Sequence, residues 1–377
     1  MKRYLYQQVR GDLDKKLVVL TGPRQVGKTT LSQDLMDDFP DAQYMNFDVA
    51  PHREVMQQYR WRQTAPLLIF DEIHKMHQWK SWLKGVFDGR AKGQRILVTG
   101  SARMETFRQG GDSLAGRYFR LRLHPISVRE WVAQSGASPR QALTHLLKRG
   151  GFPEPALAET DTDAERWRTT YFSDLIREDV LEFSRLQEVK TMRLFAEMLR
   201  SRVGSPLSLA SIARDLGVSS ATLAKYLDIL ASLFIVFIVR PWHHNIARAT
   251  LKAPKVYFYD SGLVLGDEGV RYENLVACHL LKRVQWLQDT EGKTVDLHYI
   301  RTKDSAEVDF VMSENAQLTH LLECKLNDPR VQSSLYRFAA EWPEAISLQL
   351  LRECAVESDH KGVQVRDAAS WLNALEA

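Results

Sequence analysis

A glycine-rich segment directly after a short apolar run constrains this chain more than any other feature of its sequence. The run is Leu17-Val-Val-Leu20, and the segment Gly22-Pro-Arg-Gln-Val-Gly27-Lys28-Thr29 fits the pattern G-x-x-x-x-G-K-[ST] at each fixed position. The pattern predicts a phosphate-binding loop between a strand and a helix, because the two glycines let backbone N–H groups point at phosphate oxygens. We therefore expect this segment to bind ATP.

The side chains of this loop have expected roles in the same chemistry. Lys28 is expected to reach the β- and γ-phosphates, and the Thr29 hydroxyl is expected to bind Mg²⁺. The predicted nucleotide-binding residues are Gly22, Pro23, Arg24, Gln25, Val26, Gly27, Lys28, Thr29, Thr30 and Asp71.

A second apolar run ends in two carboxylates. Leu67-Leu-Ile-Phe70 is followed by Asp71 and Glu72. Such a run between helices is typical of a buried parallel strand, so both acids are expected at the strand's carboxyl end, beside the phosphates. We predict that Asp71 holds Mg²⁺, directly or through water, and that Glu72 orients and polarises the attacking water.

Two further segments supply candidates for the same site. A third apolar run, Ile96-Leu-Val-Thr99, precedes Ser101, and either Thr99 or Ser101 is a candidate sensor of the γ-phosphate. In the basic segment 116–122, Arg117 is the candidate arginine finger, supplied by the same chain or by a neighbour. The alternative is a surface strand with solvated arginines. A finger from a neighbour makes a homo-oligomer plausible.

The motifs together resemble those of a known family. The matching stretches run from the N-terminus to about residue 330: GPRQVGKTTL, LLIFDEIHK, ILVTGSAR, LAGRYFRLRLHPISVREW, GGFPE, KAPKVYFYDSGL, EVDFVM and LLECKL. In this order they resemble the prokaryotic AAA-type P-loop ATPases with a C-terminal domain of unknown function 4143. The resemblance implies an AAA-type fold, ATP binding and a winged helix whose ligand it leaves undefined.

Residues 208–230 have the pattern of two short helices joined by a turn. Gly217-Val-Ser219 supplies the turn, and Ser219 is the predicted N-cap of the second helix. Because the apolar run 233–239 follows as a strand, the pattern predicts a winged helix. The apolar face of the first helix consists of Leu209, Ile212, Ala213 and Leu216.

The sequence of the second helix does not decide what this unit binds. Ser220, Thr222 and Lys225 are suited to phosphates and base edges, but the helix lacks the arginines and amides that commonly read bases. The unit therefore either binds DNA or packs against the ATPase or another protein.

Two alternating segments near the C-terminus carry a pattern of metal-dependent nucleases. Glu307-Val-Asp309 and Glu323-Cys-Lys325 each place two polar side chains on one strand face, and residues 313–317 can join the strands as a hairpin. The hairpin would bring Asp309, Glu323 and Lys325 together in the D…E-x-K pattern of restriction-endonuclease-like domains. Asp309 and Glu323 would hold Mg²⁺, and Lys325 would help to activate water.

Glu273 is a further candidate metal ligand. It shares a predicted helix face with Val276, Ala277 and Leu280, and an acid there requires a partner or a metal. Two alternatives stay open. The hairpin is an ordinary half-exposed sheet, or a nuclease fold is retained as a binding scaffold without DNA cleavage.

The length of 377 residues suits two or three domains, and the Gly/Pro cluster at residues 150–155 is the predicted first boundary. We predict an α/β protein with an AAA-type P-loop ATPase domain at 1–155. A helical linker with a winged helix-turn-helix follows at 156–265, and a restriction-endonuclease-like domain at 266–377.

Composition excludes several other classes. Hydrophobic residues make up 44% and charged residues 26% of the chain, which argues against disorder, and the net charge of +4 neither demands nor forbids nucleic acid. Three widely spaced cysteines support neither a disulfide framework nor a structural zinc site. The run 233–239 is too short to span a bilayer and the N-terminus lacks a signal-peptide core, so we expect a cytoplasmic protein without membrane contact.

These features predict a Mg²⁺-dependent ATPase that acts as a nucleotide switch on nucleic acid, with or without DNA cleavage by the C-terminal domain. The alternatives are an ATP-driven DNA-binding regulator that cuts nothing, and a protein-interaction switch with an inactive nuclease fold.

Overall fold

The computed structural model describes residues 1–100, 114–176, 186–242 and 253–376, which form two compact units. The first is Met1–His124 with Ser232–Phe234, and the second is Pro125–Ala231 with Ile235–Glu376. The first unit ends before the Gly/Pro cluster at 150–155, which belongs to the second unit and leads into a helix there, and the Ile126 N–H donates to the Gly151 carbonyl at 2.6 Å.

The first unit is built on a five-stranded parallel sheet in the order β2-β3-β4-β1-β5. Every residue of β1 and β3 is buried, which explains why both read as continuous apolar runs. The strands are β1 (Leu17–Thr21), β2 (Gln43–Asn46), β3 (Leu67–Asp71), β4 (Arg95–Thr99) and β5 (Tyr118–Arg122). The helices are α1 (Tyr6–Leu13), α2 (Lys28–Asp34), α3 (Ala50–Gln57) and α4 (Trp79–Asp88).

The second unit contains an eight-stranded mixed sheet in the order β12-β13-β11-β10-β9-β8-β6-β7. The strands are β6 (Val236–Pro241), β7 (Lys255–Phe258), β8 (Val295–Arg301), β9 (Glu307–Glu314), β10 (Gln317–Lys325), β11 (Ile346–Leu351), β12 (Ser358–His360) and β13 (Val363–Asp367). The helices that the structure describes here are α5 (Val128–Ser135), α6 (Pro139–Arg149), α7 (Pro153–Leu157), α8 (Asp161–Asp174), α9 (Leu186–Arg200), α10 (Leu209–Leu216), α11 (Ser220–Ser232), α12 (Glu268–Glu291), α13 (Ser333–Glu341) and α14 (Ala368–Ala374).

Buried polar contacts attach α5 to α12. The Lys282 ammonium lies 2.5 Å from Glu130 Oε2 and donates to Ser127 Oγ at 3.0 Å, so the capping box that begins α5 is also an ion pair. His279 accepts the Val128 N–H at 3.0 Å, and burial lowers its pKa to about 4, which keeps the ring neutral for this role.

In the ranges that the structure describes, every helix is too short or too polar to cross a bilayer.

Candidate functional site

The loop between β1 and α2 has a backbone that demands glycine. Gly22 has φ 144° and Gly27 has φ 98°, values that L side chains rarely adopt, and Gln25 is left-handed at φ 58°. A Cβ on Gly22 would lie 2.3 Å from the Leu123 carbonyl oxygen. The two glycines of the sequence motif therefore occupy positions of positive φ, and such positions let a loop point its N–H groups at a phosphate.

Two buried cations lie against this loop. The Lys28 ammonium donates to the carbonyls of Gly22 at 3.0 Å and Pro23 at 2.7 Å. The Arg3 guanidinium donates to the Val26 carbonyl at 2.6 Å, and is only 6% exposed. Lys28 belongs to the motif, whereas Arg3 has no sequence signal, because only the fold brings residue 3 beside residue 26.

Asp71 joins the ends of several elements at one edge of the sheet. Its Oδ2 accepts from Thr29 Oγ1 at 3.0 Å and from the Tyr44 hydroxyl at 2.5 Å. Its Oδ1 accepts from Thr99 Oγ1 and from the Glu72 N–H at 3.0 Å. The structure thus brings together Thr29, Asp71 and Thr99, and it adds Tyr44, which carries no sequence signal because β2 is short and only half apolar.

Glu72 follows the strand in a strained conformation. Its φ of 57° is left-handed, a state that non-glycine residues adopt mostly where surrounding structure enforces it and often at functional sites. Burial raises the pKa of its carboxyl, and the neighbouring Asp71 raises it further, against the opposing charges of Lys28 and Lys75. One carboxylate oxygen lies 3.5 Å from His74 Nδ1.

Ser101 and Arg117 are the two remaining candidates for the nucleotide site. Ser101 lies outside the described residues. Arg117 lies at the amino end of β5, where its carbonyl accepts the Leu17 N–H, and its side chain pairs with Asp88 at 2.9 Å. About 16 Å of strand separates this end of the sheet from Gly22. An arginine finger supplied by the same chain is therefore incorrect, and supply by a neighbour stays a prediction.

Two of the C-terminal candidates, Glu273 and Asp309, lie against Lys255, a residue outside the D…E-x-K pattern. Lys255 is 1% exposed, and its Nζ lies 2.7 Å from Glu307 Oε1, 3.5 Å from Glu273 Oε1 and 3.9 Å from Asp309 Oδ1. Burial acts to lower the pKa of Lys255, but the three carboxylates outweigh it and raise that pKa, so the ammonium stays charged. A single lysine at the start of a strand does not indicate that the residue is buried among carboxylates.

The predicted hairpin places the other two residues beside this group. Strands β9 and β10 pair antiparallel, and the Cys324 N–H donates to Asp309 Oδ2 at 2.9 Å. Lys325 pairs with Glu323 Oε1 at 2.8 Å, so the two share a strand face as the alternation predicts. Burial raises the pKa of Glu323, and the nearby Asp309 raises it further.

The helix-turn-helix pattern corresponds to α10 and α11. Gly217 ends α10 in the left-handed conformation, and Ser219 Oγ accepts the Thr222 N–H at 3.0 Å, which confirms the predicted N-cap. The Thr222 hydroxyl is engaged with Ser219 at 2.8 Å, whereas Ser220 and Lys225 are exposed. Strands β6 and β7 follow as an antiparallel pair.

Family models match along most of the chain. Residues 14–132 match an AAA domain, residues 140–269 match the domain of unknown function DUF8612, and residues 268–365 match the domain of unknown function DUF4143. The chain joins an AAA domain to a DUF4143 domain. The family predicted from the motifs is thereby confirmed.

Several proteins resemble this chain over most of its length. The uncharacterized protein Rv2008c of Mycobacterium tuberculosis is 30% identical over 304 residues, which cover 78% of this chain and 66% of that protein. The uncharacterized protein MJ1544 of Methanocaldococcus jannaschii is 22% identical over 81% of this chain and 74% of its own length. This chain thus spans slightly less than two thirds of the mycobacterial protein.

Solved structures of P-loop ATPases are also similar. The Walker-type ATPase PABY2304 of Pyrococcus abyssi matches at TM-score 0.44 and 12% identity over 68% of this chain and 93% of that one. The Thermotoga maritima RuvB Holliday junction branch migration motor matches at TM-score 0.30 and 16% identity over 62% and 88%. At TM-scores below 0.5, these likenesses carry no argument about function.

The AAA domain has a ligand set that fits Mg²⁺. The Thr29 hydroxyl and the Asp71 carboxylate face each other at 3.0 Å, directly after the nucleotide loop, and hard oxygen ligands of this kind suit the ion. The predicted assignment of both residues to Mg²⁺ is consistent with this placement.

Glu273, Asp309 and Glu323 do not form the metal site that the sequence pattern predicts for them. Among the described residues, no group of three or more His, Cys, Asp or Glu side chains is placed to hold a metal ion. The physical reason is the Lys255 ammonium, which already contacts Glu273 and Asp309 from within the cluster.

Proposed function

We propose that this chain is a Mg²⁺-dependent ATPase that acts in the cytoplasm as a nucleotide-controlled switch on nucleic acid. The observation that carries the proposal is the convergence of Lys28, Thr29, Asp71 and Glu72 at one edge of a parallel sheet, around a loop whose glycines form a phosphate cradle. This is the arrangement that phosphoryl transfer from ATP requires.

Each side chain has one role in the proposed reaction. Lys28 exchanges its loop carbonyls for β- and γ-phosphate oxygens, and Thr29 and Asp71 hold Mg²⁺, which neutralises phosphate charge when bound. Glu72 positions the attacking water and accepts its proton, a contribution of roughly 10²- to 10⁴-fold in rate.

The assignment of nucleic acid as ligand is supported by the second unit. The order α10, turn, α11 and antiparallel pair β6–β7 supports the proposed winged helix, and Lys225 and Arg214 are exposed on its helices. Exposed cations on such helices are suited to phosphate contacts.

ATP hydrolysis by wild type, Lys28→Ala and Glu72→Gln tests the catalytic part. We expect Glu72→Gln to bind ATP but to hydrolyse it at least about 10²-fold more slowly, and Lys28→Ala to lose both binding and hydrolysis. Unchanged hydrolysis in Lys28→Ala would refute the assignment.

A C-terminal domain that binds without cutting is favoured over a nuclease by one observation, the position of Lys255 among the acids. The test is incubation of wild type and Lys325→Ala with single-stranded, duplex and branched DNA, with Mg²⁺ or Mn²⁺, with and without ATP. We expect no cleavage by either protein. Cleavage by wild type alone would make the chain an ATP-coupled nuclease with Asp309, Glu323 and Lys325 as its site.

A further inference from the structure

The acid cluster of the second unit is built from four carboxylates on three elements. Glu273 comes from α12, Glu307 and Asp309 from β9, and Glu323 from β10. Glu323 is buried and the other three are partly buried, so the cluster needs compensating cations, because a carboxylate loses hydration as it is buried.

Three cations among the described residues contact these acids in different places: Lys255, Lys325 and Arg301, whose guanidinium lies 2.9 Å from Glu307 Oε2. Lys255 lies among Glu273, Glu307 and Asp309, with 1% of its surface exposed. Lys325 is partly exposed and pairs with Glu323.

The acids are held in place by neutral donors as well. The Tyr257 hydroxyl donates to Glu273 Oε1 at 2.7 Å, and the Cys324 N–H donates to Asp309 Oδ2 at 2.9 Å. Glu323 is 5% exposed, and its Oε2 is buried without a hydrogen-bond partner among the described residues.

We propose that the Lys255 ammonium is the resident cation of Glu273, Glu307 and Asp309, in the place that a divalent ion bound by these three acids would take, so that this cluster works without metal. The charge of the ammonium excludes a second cation from the same carboxylates, and its position excludes the contacts of about 2.1 Å that Mg²⁺ needs. Loss of the ammonium opens a divalent-cation site that includes Asp309. This inference goes beyond the proposed function and stands independently of ATP.

The experiment measures Mn²⁺ binding to the full chain without nucleotide, from the EPR signal of the free ion. The proteins are wild type, Asp309→Asn, Lys255→Met and Lys255→Met/Asp309→Asn. Lys325→Met is the matched control, because it removes the other ammonium of the cluster but leaves Lys255 in place.

We expect Lys255→Met to gain one Mn²⁺ site per chain, at least about tenfold tighter than any binding in wild type. The double variant should lose that site, and Lys325→Met should not gain it. Mn²⁺ binding by wild type that Asp309→Asn removes would overturn the proposal, as would a folded Lys255→Met without a new site.

Lys255→Met leaves the partly buried acids without their cation, and this change can prevent folding. In that case, thermal unfolding is measured with and without Mn²⁺. Recovery of folding with Mn²⁺, but not in the double variant, supports the proposal, and no recovery contradicts it. Because neither readout involves nucleotide, failure here is distinct from failure of the ATPase assignment.

Discussion

Glu72 is the residue whose environment determines how ATP hydrolysis depends on pH. Burial and the adjacent Asp71 raise the pKa of its carboxyl above the usual range for a glutamate. The proposed role requires the ionised form, which is present above the raised pKa and is lost as pH falls through it. As pH is lowered, kcat should therefore begin to fall at a higher pH than it would with a glutamate of ordinary pKa.

The measurement is kcat from pH 4.5 to pH 8 for wild type and Glu72→Gln. Wild type should lose activity toward acid, and the residual activity of Glu72→Gln should lack that limb. The same acid limb in both proteins would assign the titration to another group.

The nucleotide loop can be tested as an element through its first glycine. Gly22→Ala places a methyl group 2.3 Å from the Leu123 carbonyl, at a φ that alanine does not tolerate. We expect ATP binding to be lost and the free energy of unfolding to fall by about 1–3 kcal/mol.

Gly11→Ala is the matched control for this substitution. Gly11 lies inside α1, and nothing stands within 4 Å of an added Cβ. This variant should bind ATP normally and gain about 0.5–1 kcal/mol of stability by helix propensity. Equal ATP binding in Gly22→Ala and Gly11→Ala would show that the loop does not need its glycine.

Local pattern predicts the central strands of the first sheet because their burial is nearly uniform. The runs that became β1, β3 and β4 are apolar because a central parallel strand is covered on both faces, and the motif residues at their ends converge as expected. Strand β2 has a polar, half-buried sequence, so Tyr44 and its contact with Asp71 were not predictable.

Long-range placement explains the other differences. Arg117 lies in the basic segment 116–122. Pairing of β5 with β1 places it beside Leu17, at the end of β1 that is away from the nucleotide loop. Lys255 is 18 residues from Glu273 and farther from Glu307 and Asp309, so only the assembled sheet brings its ammonium to them.

A role for Arg117 in ATP hydrolysis requires a second copy of the chain, because Arg117 lies at the end of β5 away from the nucleotide loop of its own copy. Arg117→Ala retains an intact nucleotide loop, and Lys28→Ala retains an intact finger. We expect each variant alone to hydrolyse ATP poorly and an equimolar mixture to recover activity with increasing protein concentration.

Asp88→Ala is the control for this complementation, because it removes the ion-pair partner of Arg117 but leaves the guanidinium. It should keep its ATPase activity. Arg117→Ala with wild-type activity would remove the finger assignment altogether.

Retention of labelled duplex DNA measures whether ATP controls how tightly this chain binds nucleic acid, as we propose. We would compare Glu72→Gln with ATP, the same protein with ADP, and Lys28→Ala with ATP, from 50 to 200 mM salt. We expect Glu72→Gln to retain DNA at least about tenfold more tightly with ATP than with ADP, and this retention should weaken steadily with salt. Lys28→Ala should show no effect of nucleotide. Equal retention with ATP and ADP, or negligible retention at every salt concentration, would contradict it.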